Sequence, residues 1–316
     1  MSTELISVVV PCYNEEEVLP LFYDEIVKVA EEMQSRYNGL DFEFLFVNDG
    51  SKDGTLKLLR ELSEKDSRVR YVSFSRNFGK EAALFAGLEN SRGDYVVTPD
   101  ADLQHPPKLI PKMYEYVSSG EYDCAGTRRI SRKGEPKLLS FFSRMFYKII
   151  NSISQTEIVD GAQDYRFMTR RMVDAILEMR EYSRFSKGIF SWVGFNTKYI
   201  EVENVERAAG KTTWSFRKLF KYSIEGIMAF STAPLSLAFV MAVLSIIAAA
   251  VMLVLAVING GAELFVLLCV MLFIAGIQFG CIGIMSLYLS KTYLQAKGRP
   301  VYIIKETDEI YKDKNK

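Results

Sequence analysis

Asp100-Ala101-Asp102-Leu103-Gln104 sets two carboxylates and an amide oxygen at every second position. In an extended segment successive side chains point to opposite sides, so residues 100, 102 and 104 share one side. Hard oxygen donors in that pattern suit Mg²⁺ or Mn²⁺, and such a cation can grip a diphosphate. The plainer alternative is a capping turn around Pro106-Pro107. His105, the one histidine of the chain, reads as a structural neighbour of that turn rather than as a ligand. Three more polar clusters stand out: Pro11-Cys12-Tyr13-Asn14-Glu15, Asn48-Asp49-Gly50-Ser51 and Ser75-Arg76-Asn77-Phe78-Gly79-Lys80. Asp49 has the chemistry to read a nucleobase edge or a ribose, or else to cap the helix that follows Gly54.

Each cluster directly follows an apolar, β-rich run. Strands are expected at 5–10, 42–47, 69–74, 95–98 and 123–126, and helical patterns at 15–36, 54–63, 80–90 and 108–117. Continuous apolar runs fit parallel strands covered on both faces. Strand-helix alternation implies an α/β domain with a mainly parallel sheet. Ligands of such sheets sit beyond the carboxyl ends of the strands, where all four clusters fall.

Several function classes are excluded. Lys+Arg and Asp+Glu both number 39, so no basic excess points to nucleic acid. One histidine rules out a two-histidine dyad or a histidine-rich zinc site. Cys12, Cys124, Cys269 and Cys281 form no C-x-x-C pair, which argues against a disulfide framework or zinc knuckle. The absence of G-x-G-x-x-G after the first strand, and of G-x-x-x-x-G-K-[ST] anywhere, weakens dinucleotide and P-loop readings.

The C-terminal third is of another kind. No charged residue occurs in 226–262 or in 264–290, and Glu263 alone separates the two stretches. Each exceeds the roughly 20 apolar residues that a bilayer span needs. Spans are expected near 233–258 and 264–290, with Ser231 and Thr232 as cap candidates and Asn259-Gly260-Gly261 in the turn. Arg207, Lys211, Arg217, Lys218 and Lys221 precede the first span; Lys291, Lys297 and Arg299 follow the second. The turn has no Lys or Arg, so the positive-inside rule puts the soluble domain and both termini in the cytoplasm. Gly276 and Gly280 have the small-xxx-small spacing that serves packing within the hairpin or between subunits, so a homo-oligomer is allowed. Glu4 and a short apolar run argue against an N-terminal secretory leader. The expected organisation is 1–206 catalytic, 207–230 juxtamembrane and amphipathic, 231–290 membrane hairpin, and 291–316 a cytoplasmic tail, charged and mobile after Ile304.

The ordered pieces VVVPCYNEE, VNDGSKDGT, SRNFGKEAAL, DADLQHPP, GTRR, AQDYRFMTRR and ERAAGKTTW resemble the family-2 glycosyltransferases with a GT-A fold. The branch they resemble comprises dolichol-phosphate mannosyltransferases and bactoprenol glucosyltransferases. The resemblance spans 5–230 and, with the hairpin, reaches about 290. Asn48 stands where the family more often has a second Asp, Gln163 where it often has Gly, and His105 where Asp is frequent.

The resemblance implies an inverting transfer of a hexosyl unit from a nucleotide sugar to polyprenyl phosphate at the inner leaflet of the cell membrane. UDP-glucose or UDP-N-acetylglucosamine is the leading donor and GDP-mannose the next. It implies that Pro11, Tyr13 and Glu15 line the nucleotide pocket and Asp49 reads the base. Asp100, Asp102 and Gln104 would surround Mg²⁺ or Mn²⁺ and the donor diphosphate. Arg128 and Arg144 would contact the acceptor phosphate, and Asp164 is the active-site acid, expected to orient rather than abstract a proton. Its plainer alternative is a cap before 166–171. Arg207 and Lys211 lie in the segment that approaches the membrane and closes over the donor. A separate flippase would take the product onward. From Arg128 to Lys148, seven basic residues and four aromatics surround the single acid Glu135, a composition that suits anionic lipid. A rival class is a silent, membrane-anchored nucleotide-binding scaffold.

Overall fold

A computed structural model describes residues 3–104, 106–129, 145, 147–148, 150–152, 158–202, 227–228, 231, 233–258 and 263–314. His105, Arg144, Arg207 and Lys211 lie outside the described residues, as does most of 130–157.

Strands β1 (Glu4–Cys12), β2 (Leu40–Asn48), β3 (Val69–Phe74) and β4 (Tyr95–Val97) alternate with helices α1 (Leu19–Arg36), α2 (Thr55–Lys65) and α3 (Lys80–Asn90). A short 3-10 turn at Pro107–Leu109 leads into α4 (Ile110–Ser118), and β5 (Cys124–Arg129) follows. β6 (Ala162–Thr169), α5 (Arg170–Glu178), α6 (Ser186–Trp192) and β7 (Thr197–Val202) complete this part. Two long helices follow, α7 (Ala233–Ile258) and α8 (Glu263–Ala296), then β8 (Ile304–Thr307) and α9 (Asp308–Lys314).

The eight described strands form one sheet in the order β7-β5-β6-β4-β1-β2-β3-β8. β1 pairs in parallel with both β2 and β4, and β2 with β3. β6 runs antiparallel to β4 and β5, and β8 antiparallel to β3. The α/β, mainly parallel sheet expected from the sequence is therefore present. The chain goes outward from β1 toward β2 on one side and returns as β4 on the other. That reversal opens a crevice at the carboxyl ends of β1 and β4.

The strands read as unbroken apolar runs because both faces are covered. Ile6, Val8 and Val10 pack with α1 and α4 residues such as Phe22, Ile26 and Met113. Val9, Leu45 and Val47 pack on the other face with Ala82, Ala83 and Ala86 of α3. α3 lies unusually close to the sheet: a Cβ on Gly87 would sit 2.1 Å from Val9 Cγ1. Small residues on this face let the N-terminus of α3 reach over the strand ends.

Several expectations are corrected. α1 starts at Leu19 rather than residue 15, because Glu15 is in a turn whose carbonyl takes the Val18 and Leu19 N–H groups. Residues 162–169 form a strand, so Asp164 is not a cap before 166–171; the helix starts at Arg170 and Thr169 caps it, its side chain accepting from Met172 N. The tail after Ile304 is β8 and α9 over the described residues. Glu306 accepts from Arg60 Nε at 2.8 Å, Arg60 Nη2 at 2.7 Å and Tyr71 Oη at 2.7 Å, which ties the tail to the sheet edge.

α7 and α8 are long and apolar enough to cross a membrane, and their apolar windows are almost wholly exposed. Exposed Phe239, Ile246, Leu272 and Phe279 would be costly in water and are at home in lipid. Ser231 Oγ accepts from Ala233 N at 3.1 Å and so caps α7. Tyr288 Oη donates to Ser231 O at 2.6 Å, which holds α8 against the start of α7. A Cβ on Gly276 or Gly280 would meet nothing within 4 Å among the described residues.

Candidate active site

Pro11 and Cys12 end β1 beside Val47 and Asn48 of β2, so the first two predicted clusters share one sheet edge. Asn14 N donates to Ser51 Oγ at 2.9 Å and Lys52 N to Asn14 Oδ1 at 2.9 Å, which locks the two loops together. Tyr13 is 42% exposed at this edge, a free aromatic face. Glu15 N donates to Thr55 Oγ1 at 2.9 Å. The third loop packs on the second so tightly that a Cβ on Gly50 would sit 2.3 Å from the Arg76 carbonyl carbon.

Asp49 is buried and holds the chain leading into α3. Its Oδ1 accepts from Phe78 N at 2.6 Å and its Oδ2 from Gly79 N at 2.9 Å. Burial pushes its carboxyl above the ordinary value, opposed by these two N–H groups and by Arg76. It does not cap the helix after Gly54; Gly54 is the N-cap residue, and the carboxylate at that end is Asp53, accepting from Thr55 N at 3.1 Å and Thr55 Oγ1 at 2.6 Å. Each Asp49 oxygen keeps acceptor capacity beyond its backbone partner.

With the start of α3 fixed in this way, Lys80 projects onto the ends of β4 and β6. Its Nζ lies 2.6 Å from Asp100 Oδ1 and 3.5 Å from Asp164 Oδ2. Asp164 comes alongside because β6 pairs with β4, and Thr98 Oγ1 donates to Asp164 O at 2.7 Å. Burial works against the Lys80 charge, but Asp100 and Asp164 outweigh it and hold the ammonium above its ordinary range. Beside it, Glu81 accepts from Ser186 N at 3.0 Å and from Ser186 Oγ. Burial, with the Asp164 charge added, pushes Glu81 up to about 7, opposed by Ser186 and Lys80.

The 100–104 segment is not extended. It turns at 101–104, a short way beyond β4, with Leu103 at φ 58 and Gln104 N donating to Asp102 Oδ1 at 3.1 Å. The alternation that would put residues 100, 102 and 104 on one side therefore does not apply. Among the described residues no group of three or more His, Cys, Asp or Glu is placed to hold a metal. The donor chemistry still fits Mg²⁺, which commonly takes one or two carboxylates and completes its shell with substrate phosphates and water. Arg128 is exposed on β5 and its Nε donates to Asp160 O at 3.1 Å, one strand away from Asp164.

The profile of glycosyl transferase family 2 matches residues 7–177, which takes in these strand ends, Lys80, Asp100 and Asp164. The chain belongs to that family. The prophage bactoprenol glucosyl transferase homolog of Escherichia coli (strain K12) is 40% identical over 306 residues, 95% of this chain and 98% of its own. The bactoprenol glucosyl transferase of Shigella phage SfX is 38% identical over 306 residues, 95% and 98% of the two chains. A glucosyl-3-phosphoglycerate synthase from Mycobacterium tuberculosis, solved in complex with Mn2+, uridine-diphosphate-glucose and phosphoglyceric acid, has a TM-score of 0.45 at 19% identity, covering 71% of this chain and 78% of that one.

For this glycosyl transferase, sequence reasoning assigned no role to Lys80, Glu81 or Ser186. Lys80 and Glu81 lie in the quoted SRNFGKEAAL piece, and Lys80 is the cation that opens the third helix. That position was the available signal. Ser186, more than 100 residues away in sequence, gave none.

Proposed function

We propose that the protein transfers a hexosyl unit, glucose in first place, from a nucleotide sugar to the phosphate of a polyprenyl lipid at the inner leaflet. The observation that carries this reading is the similarity of nearly the whole chain, hairpin included, to two relatives named for bactoprenol glucosyl transfer. Two apolar, exposed helices agree with an acceptor whose tail is insoluble in water. α7 and α8 would both span the bilayer, with the catalytic domain and both termini on the cytoplasmic side. Arg207 and Lys211 would act at the donor. Homo-oligomer formation and a separate flippase belong to the same proposal.

A lipid phosphate monoester has a second pKa of about 6, so it is mostly dianionic at neutral pH and needs little activation. Its oxygen attacks the anomeric carbon opposite the diphosphate. The new C1–O bond forms as the bond to the diphosphate breaks, and that electron pair leaves with the nucleoside diphosphate. One such displacement inverts the anomeric centre. Pro11, Tyr13, Glu15 and Asp49 hold the nucleotide at the β1 and β2 ends. Asp100, Asp102 and Gln104 would hold Mg²⁺ or Mn²⁺, which when bound supplies positive charge to the departing diphosphate. Asp164, fixed by Lys80 and by the β4–β6 pairing, orients sugar or acceptor. Arg128, with Arg144, would meet the acceptor phosphate.

The test is a donor panel. Purified protein in detergent is incubated with undecaprenyl phosphate, Mg²⁺ or Mn²⁺, and labelled UDP-glucose, UDP-N-acetylglucosamine or GDP-mannose. Label from a UDP-hexose that moves into organic solvent and is lost with EDTA supports the proposal. Label from GDP-mannose alone makes the enzyme a mannosyltransferase. No lipid label from any donor, with the protein shown folded, favours a nucleotide-binding scaffold.

A further inference from the structure

Between Glu263 and Lys291, α8 carries no charged residue. Lys291 therefore marks the level at which this helix leaves an apolar medium. The same residue walls a cavity of about 330 Å³. The other walls are Arg76 and Gly79 from the loop after β3, Glu81 from the first turn of α3, and Ser183 and Arg184 from the segment between α5 and α6. Three of the lining residues are cations and one is a carboxylate, Glu81, whose Oε2 is engaged by Ser186. From outside the cavity Glu181 faces Arg184 and Lys291, and Glu89 faces Arg184.

The two arginines are held in place. The Arg184 guanidinium lies 4.3 Å over the Phe85 ring, and its Nη1 donates to Met179 O. Its buried Nε has no hydrogen-bond partner among the described residues. The Arg76 guanidinium lies 4.2 Å over the Phe78 ring. A second cavity of about 620 Å³ shares Ser183 and Lys291 and runs along Met228, Tyr288 and Ala296 at the foot of the hairpin. On the inner side, Gly79 and Glu81 flank Lys80, whose ammonium pairs with Asp100 and Asp164. Lys80, Asp100 and Asp164 do not line the cavity, but Glu81 does and feels the charges of both Asp164 and Lys80. One end of the space therefore meets the membrane level and the other ends at Glu81, beside the reaction centre.

We propose that this cavity binds the phosphate head of the acceptor lipid as it passes from the bilayer to the reaction centre, with Arg76, Arg184 and Lys291 as its donors. The inference rests on the reading of the acceptor as a lipid phosphate, and it adds a site separate from Arg128. Arginine forks and a lysine ammonium are the donors that a phosphate monoester takes best. The larger neighbouring cavity, walled by Met228, Tyr288 and Ala296 on one hand and Glu181, Thr292 and Gln295 on the other, gives the first part of the prenyl chain a course of mixed polarity beside α8.

Binding of farnesyl phosphate to the full-length protein in detergent tests the site, with UDP binding measured alongside. Arg76→Gln and Lys291→Gln change two of the lining cations, and Arg184→Gln changes the one whose Nε is buried. The expected result is about tenfold weaker farnesyl phosphate binding for each, the loss of one charge-assisted contact, with UDP binding unchanged in Lys291→Gln and Arg184→Gln. Arg76 acts on Asp49, so Arg76→Gln counts only where its farnesyl phosphate loss exceeds its UDP loss. Lys291→Arg should restore it. Competition by inorganic phosphate at high concentration identifies the head group as the recognised part. Farnesyl phosphate binding that is unchanged in Arg76→Gln and Lys291→Gln overturns the proposal. So does a loss confined to phosphatidylglycerol, which would make this a bulk-lipid site. If the wild-type protein glycosylates no lipid phosphate, the functional reading fails, and the binding comparison still decides the cavity.

Discussion

Lys80 Nζ lies 2.6 Å from Asp100 Oδ1, so the first residue of α3 neutralises the first carboxylate beyond β4. The same ammonium is 3.5 Å from Asp164 Oδ2 on β6. One cation thus joins an acid expected at the donor diphosphate to an acid expected at the sugar or acceptor. A metal ion arriving at Asp100 would compete with Lys80 for the same oxygen, which couples donor loading to the position of Asp164.

Lys80→Met should therefore act twice. Turnover should fall by about 10²-fold, the scale for a misplaced reacting group. Mn²⁺ binding without donor should tighten, because a competing cation is gone. Calorimetry or Mn²⁺ paramagnetic resonance reads the second effect independently of activity. Near-normal turnover together with unchanged Mn²⁺ affinity would remove Lys80 from this role.

Asp102→Ala should abolish turnover. The turn at Leu103 leaves Asp102 with a local partner, Gln104 N, so the substitution also frees that N–H at modest structural cost. Thermal melting should shift little while label transfer disappears. Near-normal transfer would refute its assignment as a metal ligand.

Glu81 gives a pH signature. Its carboxyl, ordinarily near 4.5, is pushed to about 7 by burial and by Asp164. The folded protein keeps a proton that the unfolded chain releases. The associated stability is present below the unfolded value and lost as pH rises through 7. Glu81→Gln keeps an acceptor for Ser186 without the charge. Its melting temperature should gain on the wild type at pH 8.5 and show little gain at pH 4.5. An equal difference at both pH values would contradict the shift.

Glu306→Ala should loosen the C-terminal segment. Arg60 and Tyr71 both donate to this carboxylate, and its side chain is 15% exposed against 33% for Arg60. Loss of such a partly buried, charge-assisted set should cost about 1–2 kcal/mol. Urea unfolding with unchanged midpoint and slope would show that β8 docks without it.

The parallel half of the sheet was legible because β1, β2 and β3 are covered on both faces and so read as apolar runs. The strand-end clusters were legible for the same reason: polar residues interrupt those runs at one edge. β6 was hidden by Arg166 in its middle. That side chain is 1% exposed, its guanidinium 4.6 Å over Phe190 and 5.6 Å over Tyr199, an arrangement that depends on tertiary neighbours. β8 was hidden by Lys305 and Glu306, whose charge reads as solvated until Arg60 is placed opposite. A turn was legible as the alternative around Pro106-Pro107, but its place at Leu103 was not, because nothing in a leucine announces a left-handed backbone. Lys80 was within a quoted cluster, but only the close approach of α3 to β1 shows what it reaches.

The most direct test of the account is ³¹P NMR of undecaprenyl phosphate incubated with the protein, Mg²⁺ and UDP-glucose. The account predicts that the phosphate monoester signal gives way to a phosphodiester signal coupled to an anomeric proton, with one UDP released per diester formed. A monoester signal that persists while UDP-glucose stays intact, or is hydrolysed to free glucose, would contradict it.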